Sequence, residues 1–145
     1  MTAREFLNQY RGADRIARRL RTEYEKELEL IDTVRSTADI DGLPRGNGIN
    51  KRVEDRAVKL ADKAMEWKMA ELDALHIRQE VFEVVQDIPD VEGDILFLRY
   101  VQLMTWREVC ETIPMAWPSV RRHHFKALEI IDKKIQHNTH QVVLL

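Results

Sequence analysis

The sequence predicts an all-α protein in which a long antiparallel helical hairpin, coiled-coil-like, is followed by a C-terminal helix-turn-helix. The chain has 145 residues with only five glycines and four prolines, and 33% of it is charged, which is typical of long, solvated helices. Two long stretches repeat apolar residues at steps of three and four, as helices that pack along one seam do. The last third places a short helix and a tight turn before a basic helix.

The first helix is predicted over residues 2–35. Thr2 and Glu5 have the spacing of a capping box, in which each side chain binds a free backbone N–H of the first turn. Gly12 costs about 1 kcal/mol relative to alanine but need not end the helix. The predicted apolar seam consists of Phe6, Tyr10, Ala13, Ala17, Leu20, Tyr24, Leu28, Ile31 and Val34.

The second helix is predicted over residues 51–86, with Trp67 and Met65 as packing residues. The intervening segment 36–50 holds three glycines and a proline, so it is predicted to be a loop. This loop is either a flexible connection or a functional arm that uses Arg45. The predicted seam of the second helix consists of Val53, Ala57, Leu60, Ala64, Trp67, Ala70, Ala74, Ile77, Val81 and Val84.

The acidic segment DIPDVEG predicts a boundary between the hairpin, residues 1–86, and a helix-turn-helix domain, residues 90–136. Pro89 ends the second helix because proline disfavours a helical residue before it, and Asp90 is expected to cap the next helix. The tail, residues 137–145, carries few structural cues.

The C-terminal module shows the order expected of a helix-turn-helix. The first helix, 95–103, is predicted to pack Ile95, Leu98 and Val101 (or Phe97) inward. Thr105 with Glu108 forms a second capping box that starts a short helix. Pro114 ends that helix, and the last helix runs over about 118–135. The residues of this last helix that are predicted to pack inward are Val120, His124, Ala127, Leu128, Ile131 and Ile135.

The outward side of the last helix is basic. From Arg99 onward there are seven Lys/Arg and four acids, a net charge of +3. Because the whole chain carries −2, the residues before Arg99 carry −5. In helix-turn-helix proteins the start of the second helix enters the major groove, where arginine recognises guanine edges, and later residues meet the phosphate backbone. Double-stranded DNA is therefore the predicted partner. The predicted DNA-contacting residues are Ser119, Arg121, Arg122, Phe125, Lys126 and Arg107.

Five short motifs of the C-terminal module follow one another along the chain: Arg99–Tyr100, Thr105–Trp106, Glu108–Val109–Cys110, Val120–Arg121–Arg122 and Ala127–Leu128. They resemble region 4 of the sigma-70 family, which reads a promoter element. With its long helical N-terminal part and the Pro44–Gly46 loop motif, the whole chain is similar to small phage and prophage sigma-like regulators of the ArpU or RinA kind. The resemblance implies a sigma factor-like transcription regulator in the bacterial cytoplasm, with RNA polymerase as a further partner.

Other chemistry lacks support in the sequence. His123 and His124 are adjacent and point about 100° apart on a helix, and no cysteine or carboxylate cluster has zinc spacing, so no metal or cofactor is predicted. No nucleophile and base can be paired, so no enzyme is predicted. Cys110 is a lone cysteine, predicted to be a buried thiol. No apolar run approaches the ~20 residues of a membrane span.

Three functions therefore stay open. The first is a DNA-binding regulator whose hairpin serves for homodimerisation or for contact with RNA polymerase. The second is a small terminase subunit, which packages DNA and forms a closed ring of many copies. The third is a helical adaptor without affinity for nucleic acid, in which the helix-turn-helix is only a fold.

Overall fold

A computed structural model describes residues 1–40 and 47–143, with the backbone alone for 35, 37–40, 47–50 and 141–143. This part of the chain is all-α, as predicted, and contains no strand. A π-helical segment, Phe97–Val101, follows the third helix directly. The five α-helices are Ala3–Ile40 (α1), Asn47–Gln86 (α2), Asp90–Leu96 (α3), Trp106–Thr112 (α4) and Trp117–Val143 (α5).

The long helices extend farther than the sequence predicted. Helices α1 and α2 take up both ends of the predicted loop 36–50, and the rest of that loop, 41–46 with Arg45, lies outside the described residues. Helix α5 likewise continues through most of the predicted tail, to Val143. No glycine or proline follows Pro118, and extending an existing helix costs far less than starting one, so nothing in the sequence stops α5.

Internal contacts divide the chain into two compact units. The larger unit combines Met1–Gly12 with Ala74–Leu145, and the smaller unit is Ala13–Asp73. Both divisions fall inside α1 and α2, whereas the sequence placed the boundary just after α2. The difference arises because the start of α1 and the end of α2 share a hydrophobic core with α3 and α5.

The core of the larger unit joins five helical segments. Leu7 of α1 and Ile131 of α5 are fully buried in it, and Val81 and Val85 come from the end of α2. Burying a large aliphatic side chain contributes roughly 1.5–3 kcal/mol, so this cluster dominates the stability of the unit. Its buried residues are Ala3, Leu7, Val81, Val85, Ile88, Leu96, Tyr100, Val101, Ala127, Leu128 and Ile131.

The start of α1 is fixed by hydrogen bonds as well as by burial. The predicted capping box is confirmed, because the Glu5 N–H donates to Thr2 Oγ1 at 3.2 Å and the Thr2 N–H donates to Glu5 Oε2 at 2.9 Å. The Ala3 N–H donates to Asp132 Oδ1 at 2.7 Å, a contact between residues 129 positions apart. The first turn of α1 is therefore tied to α5.

A second, smaller core holds the helix-turn-helix together. Ile95 of α3, Val109 of α4 and Val120 of α5 are all fully buried and pack against one another. The inward residues predicted for α5 are confirmed: Ile135 is half-buried and the other five are buried. Cys110 was predicted to be buried, but it is only half-buried at the edge of this core.

The smaller unit is a pair of helical segments that contact each other through a ring stack and ion pairs. The rings of Tyr24 on α1 and Trp67 on α2 stack with centroids 5.4 Å apart. Glu27 is buried, and its carboxylate lies 3.3 Å from the Arg56 guanidinium and 3.9 Å from Lys59 Nζ. The cations on α2 offset the cost of burying this charge.

Two predicted seam residues, Leu28 and Ala57, and the predicted packing residue Met65 are exposed instead. Leu28 is 39% exposed and Met65 is 62% exposed, and Ala57 is also on the surface. On α1 the buried positions step from Glu27 to Ile31, so a carboxylate faces α2 where the apolar pattern predicted Leu28. The predicted seam included apolar residues only, so it did not include Glu27, whose charge is paired with cations on the facing helix.

The turn between α2 and α3 packs closely against Gly93 of α3, and this position requires a glycine. The Gly93 N–H donates to the Pro89 carbonyl at 3.4 Å, and a Cβ at Gly93 would overlap the carbonyl oxygen of Ile88. Asp90, predicted to cap α3, is instead its first residue, with a φ of 62° in the left-handed region. Pro89 occupies the cap position without a side-chain hydrogen bond, because proline has no side-chain acceptor.

We predict that Gly93→Ala destabilises the protein by about 1–3 kcal/mol, because the added methyl meets backbone that no side-chain rotation can clear. The free energy of unfolding in urea measures this change. Gly12→Ala is the matched control: no atom lies within 4 Å of a Cβ there, and we expect a gain of about 0.5–1 kcal/mol. A Gly93→Ala protein as stable as the parent would contradict the packing of this turn.

Candidate nucleic-acid interface

Local hydrogen bonds fix where α4 begins and where α5 begins after the short turn that joins the two helices. The predicted cap at Thr105 is confirmed, since its Oγ1 accepts from the Glu108 N–H at 3.2 Å. Helix α4 ends at Thr112, and a tight turn follows around Pro114. The Ala116 carbonyl then accepts from the N–H groups of Ser119 and Val120, at 3.0 and 3.1 Å, which starts α5.

Arg99 fastens the segment that leads into α4. Its Nη1 donates to the Met104 carbonyl at 2.8 Å, and its guanidinium lies 4.8 Å from the centre of the Trp106 ring. Arg11 of α1 donates in turn to the Arg99 carbonyl at 3.1 Å. Burial lowers the pKa of Arg99, and the nearby charge of Arg11 lowers it further.

His124 is a buried residue that holds α5 in place. Its Nε2 lies 2.8 Å from the Tyr100 hydroxyl, and the Trp106 ring packs edge-on at 4.6 Å. Burial lowers the pKa of His124 to about 4, and the positive charges of Arg4 and Arg99 act in the same direction. Burial raises the pKa of Tyr100, so its hydroxyl keeps the proton and can donate it to the neutral imidazole.

A second polar tie links α5 to α3 through Glu92. The His123 Nδ1 donates to Glu92 Oε1 at 3.0 Å, and Lys126 Nζ lies 3.5 Å from the same oxygen. The hydrogen bond from His123, a backbone hydrogen bond and the charge of Lys126 lower the pKa of Glu92 against the effect of burial. Sequence reasoning missed Glu92, because no local pattern shows that its carboxylate faces α5.

The residues predicted on α5 lie together along its outward side. Arg121 and Arg122 are exposed, and Arg122 Nη2 donates to Ser119 Oγ at 3.3 Å. Ser119 itself is half-buried. One turn later Phe125 is 41% exposed, and Lys126 is exposed beside Glu92. Helix α5 therefore presents cations and one aromatic ring on the part of its surface that the core does not cover.

Arg107, the remaining predicted residue, lies on α4 rather than with this group. Its side chain is 89% exposed and forms an ion pair with Glu111, 3.4 Å away and one turn later on the same helix. No hydrogen bond, ion pair or ring contact joins Arg107 to the described residues of α5.

Arg4 lies beside the predicted residues, which the sequence did not indicate. Its guanidinium lies 5.6 Å from the centre of the Phe125 ring, and the guanidinium of Arg121 lies 5.5 Å from the same centre. This contact depends on the packing of α1 on α5, across more than 100 residues of chain. The only local signal was the capping box, which places Arg4 in the first turn of α1.

Two further observations concern the described residues alone. No three His, Cys, Asp or Glu side chains among them are grouped so that they could hold a metal ion. None of their helices combines the length and the apolar character that crossing a membrane requires.

Comparisons of the chain with protein-family models, with curated proteins and with solved structures found no match. The likeness to sigma region 4 therefore rests on the motifs of the sequence itself.

We predict that His124 makes stability depend on pH below neutrality. An ordinary histidine has a pKa of about 6.5, whereas folding lowers that of His124 to about 4. Between these values the unfolded chain binds a proton that the folded chain does not. Stability from this residue is therefore complete above pH ~6.5 and is lost as the pH falls toward 4, by up to about 3 kcal/mol.

Urea unfolding at several pH values tests this prediction with His124→Gln, which removes the titrating group. We expect the variant to lose clearly less stability than the parent between pH ~6.5 and ~4. His140→Gln, at an exposed position of α5, is the control and should follow the parent. Equal pH dependence of the parent and His124→Gln would show that His124 is not held neutral by the fold.

Proposed function

We propose that this protein is a sequence-specific DNA-binding transcriptional regulator of phage or prophage genes, acting in the bacterial cytoplasm with α5 in the major groove. The observation that carries the proposal is that Arg121 and Arg122, in the first turns of α5, are exposed cations on a helix whose Val120 and His124 are buried. The phage context rests on the sequence resemblance alone.

The shape of α5 and its surroundings suit this role. A major groove about 12 Å wide admits one α-helix, provided that the outward side of the helix is free. Arg121 and Arg122 are exposed in the structure, and Phe125 follows them one turn later. The buried core at Ile95 and Val109 supports the helix from behind, so inserting it needs no rearrangement of the core.

The predicted residues divide into two roles by position. Arg121 and Arg122, nearest the start of α5, are placed to read base edges, whereas Lys126, farther along, is placed to meet phosphates. Arg107 on α4 would contact the DNA backbone, because the first helix of this motif crosses the DNA backbone. The ion pair of Arg107 with Glu111 is exposed and worth about 0–1 kcal/mol, so a phosphate can replace that carboxylate. Lys126 is itself 69% exposed, although its partner Glu92 is buried.

The smaller unit offers a surface for a second copy of the chain. Val58, Met65 and Leu72 recur on α2 at intervals of seven residues, with Met69 beside them, and each is 58–63% exposed. Seven-residue spacing is the repeat by which two helices pair along their length. A dimer would present two helix-turn-helix motifs to two half-sites. Contact of this row with RNA polymerase is the alternative use.

We predict that Arg121→Ala and Arg122→Ala each weaken binding to a duplex selected by the parent protein from a random-sequence pool. Loss of an arginine that reads a base edge costs about 1–3 kcal/mol, or roughly five- to 150-fold in affinity. Fluorescence anisotropy measures the affinity. Both residues are exposed, so thermal unfolding should stay within a few degrees of the parent.

Arg19→Ala provides the matched control, since Arg19 is an exposed arginine of α1 in the smaller unit. It should bind as the parent does. If both α5 variants bound as the parent does, the assignment of α5 to the major groove would be wrong. No binding of the parent to any duplex at low salt, where electrostatic attraction is strongest, would instead favour the helical adaptor.

We predict that the parent protein is a dimer and that Met65→Glu with Leu72→Glu makes it monomeric, because charges would then face each other across the apolar row. Sedimentation equilibrium measures the mass. Ile16→Glu, at a 55% exposed position of α1, is the control and should stay dimeric. A monomeric parent would contradict the second-copy proposal, and a closed ring of many copies would favour the small terminase subunit.

A further inference from the structure

We propose that Arg4, in the first turn of α1, belongs to the DNA interface and binds a backbone phosphate beside α5. This inference rests on the proposed DNA-binding function. It adds to the helix-turn-helix a residue from the opposite end of the chain.

The position of Arg4 is fixed by its neighbours. Ala3 is 1% exposed and Leu7 is fully buried, so this turn of α1 cannot shift without opening the core. The Ala3 N–H donates to Asp132 of α5 at 2.7 Å, and the capping box of Thr2 and Glu5 sets where the helix begins. Arg4 itself is exposed. Its guanidinium is therefore held at the surface of α5 before any ligand arrives.

Arg4 and Arg121 share one aromatic ring. Their guanidinium groups lie 5.6 and 5.5 Å from the centre of the exposed Phe125 ring. Each cation is attracted to the face of the ring, but the two charges repel each other. An anion bound near both would relieve this repulsion, so the arrangement favours an anionic ligand.

The carboxylates around Arg4 are already engaged with backbone. Glu5 accepts from the Thr2 N–H and Asp132 accepts from the Ala3 N–H. Among the side chains that the structure describes, neither Arg4 nor Arg121 forms an ion pair, whereas Arg107 pairs with Glu111. The positive charge of Arg4 also acts on the buried His124, because it lowers the pKa of this residue in addition to the larger effect of burial.

A DNA phosphate is the anion that this position would meet. When the start of a recognition helix is in the major groove, residues about one turn farther along lie near the backbone that borders the groove. Phe125 is one turn after Arg121, and Arg4 lies against it. A guanidinium binds phosphate oxygens through two parallel hydrogen bonds, which makes arginine well suited to this contact.

The test measures binding to a random-sequence duplex over a series of KCl concentrations, for the parent, Arg4→Ala and Arg4→Lys. A phosphate contact contributes about 0.9 to the slope of log affinity against log salt. We expect Arg4→Ala to lower the affinity about tenfold and to reduce the slope by about 1, whereas Arg4→Lys should keep the slope and lose only part of the affinity. Arg15→Ala, at an exposed position of α1, should match the parent.

The outcomes separate this inference from the function on which it rests. If Arg4→Ala keeps the parent affinity and slope while Arg121→Ala binds more weakly, the inference is wrong and the DNA-binding function stands. If Arg4→Ala and Arg4→Lys lose affinity equally without a change in slope, Arg4 acts by packing on Phe125, and the phosphate contact is wrong. If the parent binds no duplex at low salt, both proposals fail.

Discussion

The helix-turn-helix of this protein has only a small core of its own, and most of the larger unit follows from that constraint. Its own core has three fully buried side chains, Ile95, Val109 and Val120. A chain of about 60 residues buries only about 60% of its unfolded surface, which leaves little margin over the entropy of folding. The remaining apolar side of α5 is covered by the two ends of the long helices, through residues such as Leu7 and Val81.

Helix α5 is consequently supported along its length by different partners. Its first turns pack on α3 and α4 through Val120, and its middle turns pack on α1 and α2 through Ala127 and Ile131. A helix held in this way enters a groove as a rigid element, so binding need not offset the entropy of ordering it. The same packing brings the first turn of α1, with Arg4, next to the outward side of α5.

What could be predicted from the sequence was local. The caps at Thr2 and Thr105 and the inward residues of α5, such as Val120 and His124, follow from spacings of three and four residues and from hydrogen bonds within one turn. Helix ends were less predictable, since a glycine- and asparagine-rich stretch such as 47–50 can still be helical at a cost of about 1 kcal/mol per glycine.

Features that depend on packing between distant elements could not be predicted. Leu28 has the right spacing for the seam, but Glu27 is buried there because Arg56 and Lys59 face it from α2. The boundary between the units falls inside α1 and α2 because Leu7 and Val85 belong to the core of the larger unit. Arg4 lies within the capping box of α1, but that local motif does not indicate α5, and only the fold places Arg4 beside Phe125.

The two polar ties of α5 have a role that apolar packing cannot fill. Hydrophobic contacts alone tolerate some rotation of a helix about its axis, because they are not directional. His123 binds Glu92 of α3, and the next residue, His124, meets the Tyr100 hydroxyl in the π-helical segment. The two side chains project from α5 in different directions, so their directional contacts together fix the rotation of the helix about its axis. One residue of rotation is 100°, enough to turn Arg121 and Arg122 out of a groove. The buried polar residues thus specify which side of the helix faces outward.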